Sequence, residues 1–196
     1  MELIARIDAA RARWNVLGHP FYRRWERGDL TRDELAYYAG QYRHAVVALA
    51  DAAATAAPGS EHADEERAHV ALWGAFASKL GVDGERSANP DTAACAEAWG
   101  GTTDELEALA ILYAVESGQP DVSRTKLEGL ARHYGVGADS PAAAYFALHA
   151  ERDFEHAEHS RELLEARAGD SDADRLVAAA ERALRGNWRL LDGVSA

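Results

Sequence analysis

The stretch from Tyr145 to His156 contains no Gly or Pro and reads as the middle of a helix. At about 100° per residue, Tyr145, His149, Asp153 and His156 share one face within roughly 80°. Two imidazoles and a carboxylate on one rigid face form a donor set suited to iron, manganese or zinc. A second face of this kind lies upstream, where His62, Glu66 and His69 stand at i, i+4 and i+7. Its ligand beside His69 is open among Glu66, Glu65 and His62 as alternatives, because all three fall within about one turn. Glu116 follows the apolar stripe Leu106, Leu109, Leu112 and Tyr113, so it is either a helix-end residue before Gly118 and Pro120 or a carboxylate turned inward. Glu66, His69, Glu116, His149, Asp153 and His156 together would supply ligands for two transition metals. Two acid-x-x-His motifs, Glu66 to His69 and Asp153 to His156, are the pattern by which helical bundles hold carboxylate-bridged metal pairs. Burying these acids without a cation is costly, since like charges raise one another's pKa and ionised groups resist desolvation.

The remaining histidines carry less. His159 lies about 80° off the face of His149, and His44 and His133 have no acidic partner at helical spacing. Lysine is scarce: of 21 basic residues only Lys79 and Lys126 are lysines, which singles out Lys126 within a helix otherwise served by arginine.

These residues need a scaffold, and the sequence supplies helices. The chain has 196 residues, 47% hydrophobic, with only five prolines, enough for one substantial core, so a single domain over 1–196 is expected. Helical segments are expected at 2–17, 20–27, 31–57, 61–80, 91–99, 102–117, 120–134, 141–169 and 172–192. Thr31 with Glu34 forms a capping box, Pro20 suits a first helical position, and Phe21, Tyr22 and Trp25 read as a core cluster. Trp188 and Leu191 are expected to anchor the tail.

A net charge of −12 argues against nucleic acid or an anionic membrane as partner. Charges occupy the opening residues where a signal peptide would be apolar, and no window is long enough to span a bilayer, so the cytoplasm is the expected location. A single cysteine, Cys95, excludes an intrachain disulfide and a cysteine-based zinc site. Apolar residues near the termini, if exposed, would suit a homodimer.

Several motifs carry a family resemblance. They are His19-Pro20-Phe21-Tyr22 with Trp25, Gly40-Gln41-Tyr42, and His69 with Leu72-Trp73. Downstream, Glu116 leads to Lys126-Leu127-Glu128-Gly129-Leu130 and His133-Tyr134-Gly135, and His149-x3-Asp153-x2-His156 closes the series. In these the chain resembles the haem-oxygenase-like dimetal oxidases over nearly its whole length, and within them it is most similar to the self-sacrificing para-aminobenzoate synthases. The resemblance implies an all-α bundle of about seven helices, the fold also used by thiamin-salvage proteins and cofactorless oxidases. It implies two metal ions, Fe/Fe or Mn/Fe, with O2 and an external reductant. It further implies that Tyr22 is the consumed tyrosine, Lys126 the amino donor, Tyr145 a further active-site tyrosine, and para-aminobenzoate for folate synthesis the single-turnover product. The chain departs from that pattern at His62, where the synthases carry a Glu seven residues before the first His, and at Val115, where they tend to carry a tyrosine. The alternatives are a dimetal oxidase acting on a separate fatty acid or amino-acid derivative, and a metal-free interaction protein.

Overall fold

The computed structural model describes residues 2–195; Met1 and Ala196, the two ends of the expected domain, lie outside the described residues. The described residues form nine α-helices: α1 (Glu2–Arg13), α2 (Pro20–Arg27), α3 (Arg32–Ala56), α4 (Glu61–Lys79), α5 (Pro90–Gly100), α6 (Glu105–Glu116), α7 (Gln119–His133), α8 (Ala144–Arg167) and α9 (Ala173–Ser195). Seven have twelve or more residues, while α2 and α5 are shorter, so a bundle of about seven long helices describes the architecture. No strand occurs among the described residues, and none of their helices is long and apolar enough to cross a membrane.

Local chemistry sets the helix bounds. Thr31 Oγ1 accepts from the Glu34 N–H and the Glu34 carboxylate accepts from the Thr31 N–H at 2.8 Å, so the capping box opens α3. His19 caps α2: its Nδ1 accepts from the Phe21 N–H at 3.0 Å, with Pro20 next in the first helical position. Gly28 ends α2 in the left-handed region at φ 74°, where a Cβ would also meet the His133 ring at 2.7 Å. Three bounds differ from expectation. Helix α1 stops at Arg13 instead of running to 17, because Asn15 accepts from the Leu17 N–H and caps a separate 3-10 turn at Val16–Gly18. Helix α6 begins at Glu105 instead of 102, because Asp104 accepts from the Glu107 N–H and caps it there. Pro141–Ala143 is a 3-10 turn that precedes α8.

Helix α6 is buried at every position from Ala108 to Glu116 and packs against α3, α8 and α9. Around it, α4 packs on α3, α7 on α8, and α1 and α5 on α9. Buried side chains from all nine helices join one continuous cluster. Ile4, Ile7, Leu190 and Val194 near the termini are buried in this cluster rather than exposed, and Leu191 is buried there too, as an anchor of the tail should be. Trp188 packs edge-on against Trp14 and His19, and His19 Nε2 pairs with Asp192 at 3.0 Å, so α9 is pinned to α1 and α2.

Candidate metal centre

Three helices deliver the donor residues to one place. From α4, His62, Glu66 and His69 face inward; α6 brings Glu116 from its last turn; α8 brings His149, Asp153 and His156. Glu116 is 1% exposed, which decides its direction: it points into the bundle. Two groups of donor atoms lie within 4.8 Å of one another, His62 with Glu66, Glu116 and His156, and Glu66 with His69 and His149. Glu66 belongs to both. Its Oε1 lies 2.9 Å from His69 Nδ1, while His62 Nε2 lies 2.9 Å from Glu116 Oε1. Asp153 is buried beside them, close enough for its charge to be felt with those of Glu66 and Glu116, but stands outside both groups. Glu65 turns away: it accepts from His156 Nε2 at 2.9 Å and from Arg152 at 2.7 Å, so of the three acid or imidazole alternatives on α4, His62 and Glu66 enter the centre and Glu65 does not.

The imidazole tautomers follow from the outer contacts. His149 Nδ1 donates to the Tyr145 carbonyl at 2.7 Å, which leaves the Nε2 lone pair free, and His156, donating through Nε2 to Glu65, leaves Nδ1 free. Both free nitrogens are buried and unpartnered, as are His62 Nε2, His69 Nδ1, both oxygens of Glu116 and both of Asp153. His62 and His69 have carboxylate oxygens within reach, yet their N–H directions do not make hydrogen bonds. Buried polar atoms rarely go unpaired, and here eight from six residues of α4, α6 and α8 do. That donor set fits transition-metal cations.

Charge in the absence of a cation is distributed accordingly. Burial, reinforced by Glu66, holds the Glu116 carboxyl well above the usual range, and burial with Glu116 and Glu66 pushes Asp153 up to about 10. Glu66 is also desolvated, but His69, His149 and His62 outweigh that and lower its pKa. Burial lowers His149 to about 4 and lowers His62 and His156. Burial thus favours the neutral form of His62, His149 and His156, the form in which an imidazole binds a metal.

Behind the donors lies an aromatic layer. Tyr145 stacks on His149 with ring centroids 4.0 Å apart, and Trp73 meets Tyr145 at 4.9 Å. Lys126, from α7, is 1% exposed and places Nζ 4.7 Å from the Tyr42 ring centre, 5.3 Å from Phe146, 5.6 Å from Trp73 and 5.7 Å from Tyr22. No ion pair to Lys126 occurs among the described residues, and burial lowers its pKa to about 7. Tyr22, from α2, is 1% exposed beside Tyr38, and burial raises its pKa well above the ordinary value. The part played by Tyr38 and Tyr42, one turn apart on α3, escapes sequence reasoning: the signal was their i, i+4 spacing opposite a lone lysine.

On the other side a cleft of about 310 Å³ opens to solvent, lined by His62, Glu65, Arg152, His156 and His159 with Leu109, Leu112 and Leu163. His159 thus lines the entrance, not the centre. His44 and His133 bond backbone carbonyls elsewhere.

A family model described as iron-containing redox enzyme, of the haem-oxygenase type, matches residues 33–188. The chain belongs to that family. It is 29% identical to a 4-aminobenzoate synthase of Nitrosomonas europaea, over 96% of this chain and 89% of that one. It is 31% identical to a 4-aminobenzoate synthase of Chlamydia muridarum, over 98% of this chain and 89% of that one. Among solved structures it resembles a haem-oxygenase-like domain from Shewanella denitrificans with TM-score 0.80 at 20% identity, covering 100% of this chain and 92% of that one. It also resembles a TenA homologue from P. horikoshii with TM-score 0.76 at 13% identity, covering 98% and 97%. The all-α haem-oxygenase-like fold and the membership of an iron-containing redox family agree with the motif resemblance.

Proposed function

We propose that this family member, folding as one domain over its length, is a dimetal oxidase that forms 4-aminobenzoate from its own Tyr22 with nitrogen from Lys126. The observation that carries the reading is Lys126. A lysine held inside five aromatic rings without an ion pair weakens the fold, so its retention beside Tyr22 calls for chemistry. Burial that brings its pKa to about 7 leaves much of the amine neutral and nucleophilic near neutral pH. The product carries a carboxyl and an amine para to one another, the positions at which a tyrosine ring carries its Cβ and its hydroxyl.

Glu66, His69, Glu116, His149, Asp153 and His156 would hold the two ions. Bound there, Fe/Fe or Mn/Fe would activate O2 with electrons from an external reductant. The chain's own residues do the rest. Tyr145, against His149, links the donors to Trp73 and through it to the rings around Lys126. The sealed layer keeps water from Tyr22, and Lys126 must move from its resting distance to about 3–3.5 Å of the ring carbon it attacks. The named activity of the relatives supports the same product. The test is mutational: Tyr22→Phe and Lys126→Arg should each abolish 4-aminobenzoate formation by the iron-loaded protein, and undiminished product from either would remove this assignment.

The cleft favours a second reading, a small external substrate such as a fatty acid or amino-acid derivative lying along Leu109, Leu112 and Leu163. Multiple turnovers with an unchanged protein mass would select it. Membership of an iron-containing family weighs against the metal-free interaction protein.

A further inference from the structure

The two donor groups differ in kind and in access. His62 lies in the first two turns of α4, one turn before Glu66 and two before His69, so it shares their inward face. Its Nε2 is 2.9 Å from Glu116 Oε1 and 4.0 Å from Glu66 Oε1, and its ring lies 4.2 Å from that of His156. That nitrogen is buried without a hydrogen bond, and so are both Glu116 oxygens and His156 Nδ1. A surface histidine that merely paired with Glu116 would aim its N–H along the contact; here that contact closes no hydrogen bond, and donor atoms of His62, Glu66, Glu116 and His156 lie within 4.8 Å of one another. His62 and His156 also rim the cleft, with side chains 15% and 11% exposed, whereas His69 on the Tyr145 side is 4% exposed.

We propose that His62 is a metal ligand that completes a cleft-side position with Glu116, His156 and the shared Glu66, and that it biases this position toward iron over manganese. The proposal rests on the dimetal reading above. Two neutral imidazoles beside two carboxylates make a softer, less anionic site than a carboxylate in place of His62 would, and imidazole suits iron where carboxylate suits manganese. Because the cleft reaches this position, its ion exchanges first, while the ion held by Glu66, His69 and His149 is enclosed.

The test loads the full-length, chelator-stripped protein anaerobically with Fe(II), or with equimolar Fe(II) and Mn(II), and reads bound metal after desalting together with the time course of removal by a chelator. Wild type should bind about two ions per chain and release them in two phases. His62→Ala should keep about one ion and lose the fast phase. His62→Glu should restore about two ions with a raised manganese share, which also answers the objection that the alanine variant is misfolded. Two ions in His62→Ala with both phases intact, or no rise in manganese for His62→Glu, overturns the proposal and leaves the dimetal reading standing. Wild type that binds no stoichiometric metal would overturn both.

Discussion

Replacing Lys126 by methionine should stabilise the protein while abolishing its chemistry. Burial takes the amine from an ordinary 10.5 to about 7, and each unit corresponds to about 1.4 kcal/mol. The shift therefore bounds the cost of the charged lysine at about 5 kcal/mol, and exchanging buried ions for apolar groups of similar volume commonly recovers about 1–4 kcal/mol. A gain of about 3 kcal/mol would raise the Tm of a chain this long by about 6–12 °C. The pH dependence has a definite sign. The folded pKa lies below the unfolded one, so the unfolded chain binds more protons between pH 7 and 10.5, and wild-type stability attributable to this residue rises across that window. The advantage of Lys126→Met should be greatest below pH 7 and vanish near 10.5. Thermal unfolding of both proteins in chelator from pH 6 to 10 measures it. A methionine variant less stable than wild type at pH 7, or a difference flat in pH, would refute the account of a desolvated amine held without a partner.

Three further outcomes follow from the same geometry. Glu65→Gln, which weakens the hold on His156 Nε2, should lower metal affinity about 10–100-fold in a chelator competition while leaving the unfolding midpoint of the metal-free protein nearly unchanged. Gly129→Ala would set a Cβ 2.5 Å from the Trp25 ring and should destabilise by about 1–3 kcal/mol in urea unfolding. Metal binding should release protons, because burial and neighbouring carboxylates raise the Glu116 carboxyl well above its usual range and push Asp153 up to about 10; affinity for Fe(II) should therefore rise with pH through the neutral range, and buffer-dependent calorimetric enthalpies report the protons released.

Much of this was legible in the sequence, and the exceptions have physical causes. Capping chemistry gave the start of α3 to within a residue, and the i, i+4, i+7 spacing placed His62 with His69, and His149 with His156, on single faces. What spacing could not rank was Glu65 against Glu66 and His62: neighbours on one turn differ by about 100°, and only the approach of α8, with His156 and Arg152, turns Glu65 outward. Glu116 was undecided for the same reason, since only the packing of α6 between α3, α8 and α9 makes a helix-end carboxylate an inner one. Composition marks Lys79 and Lys126 alike and only the motif resemblance separates them; the cage of Lys126 draws on α2, α3, α4 and α8, a convergence no local pattern encodes. The burial of the apolar residues near the termini, beyond the tail anchors, comes from α1 and α9 covering one another, a pairing of segments distant in the chain.

The most direct test of the central claim is the intact mass of the protein after one aerobic reaction. Metal-free protein is reconstituted anaerobically with Fe(II), with or without Mn(II), then given reductant and O2, and the mass of the chain is read beside the small-molecule products. The account predicts 4-aminobenzoate in at most stoichiometric amount, with a matching loss of mass that peptide mapping places at Tyr22. Oxygen consumption with an unchanged chain mass and no 4-aminobenzoate would contradict it, and would make the centre that of an oxidase whose substrate enters through the cleft.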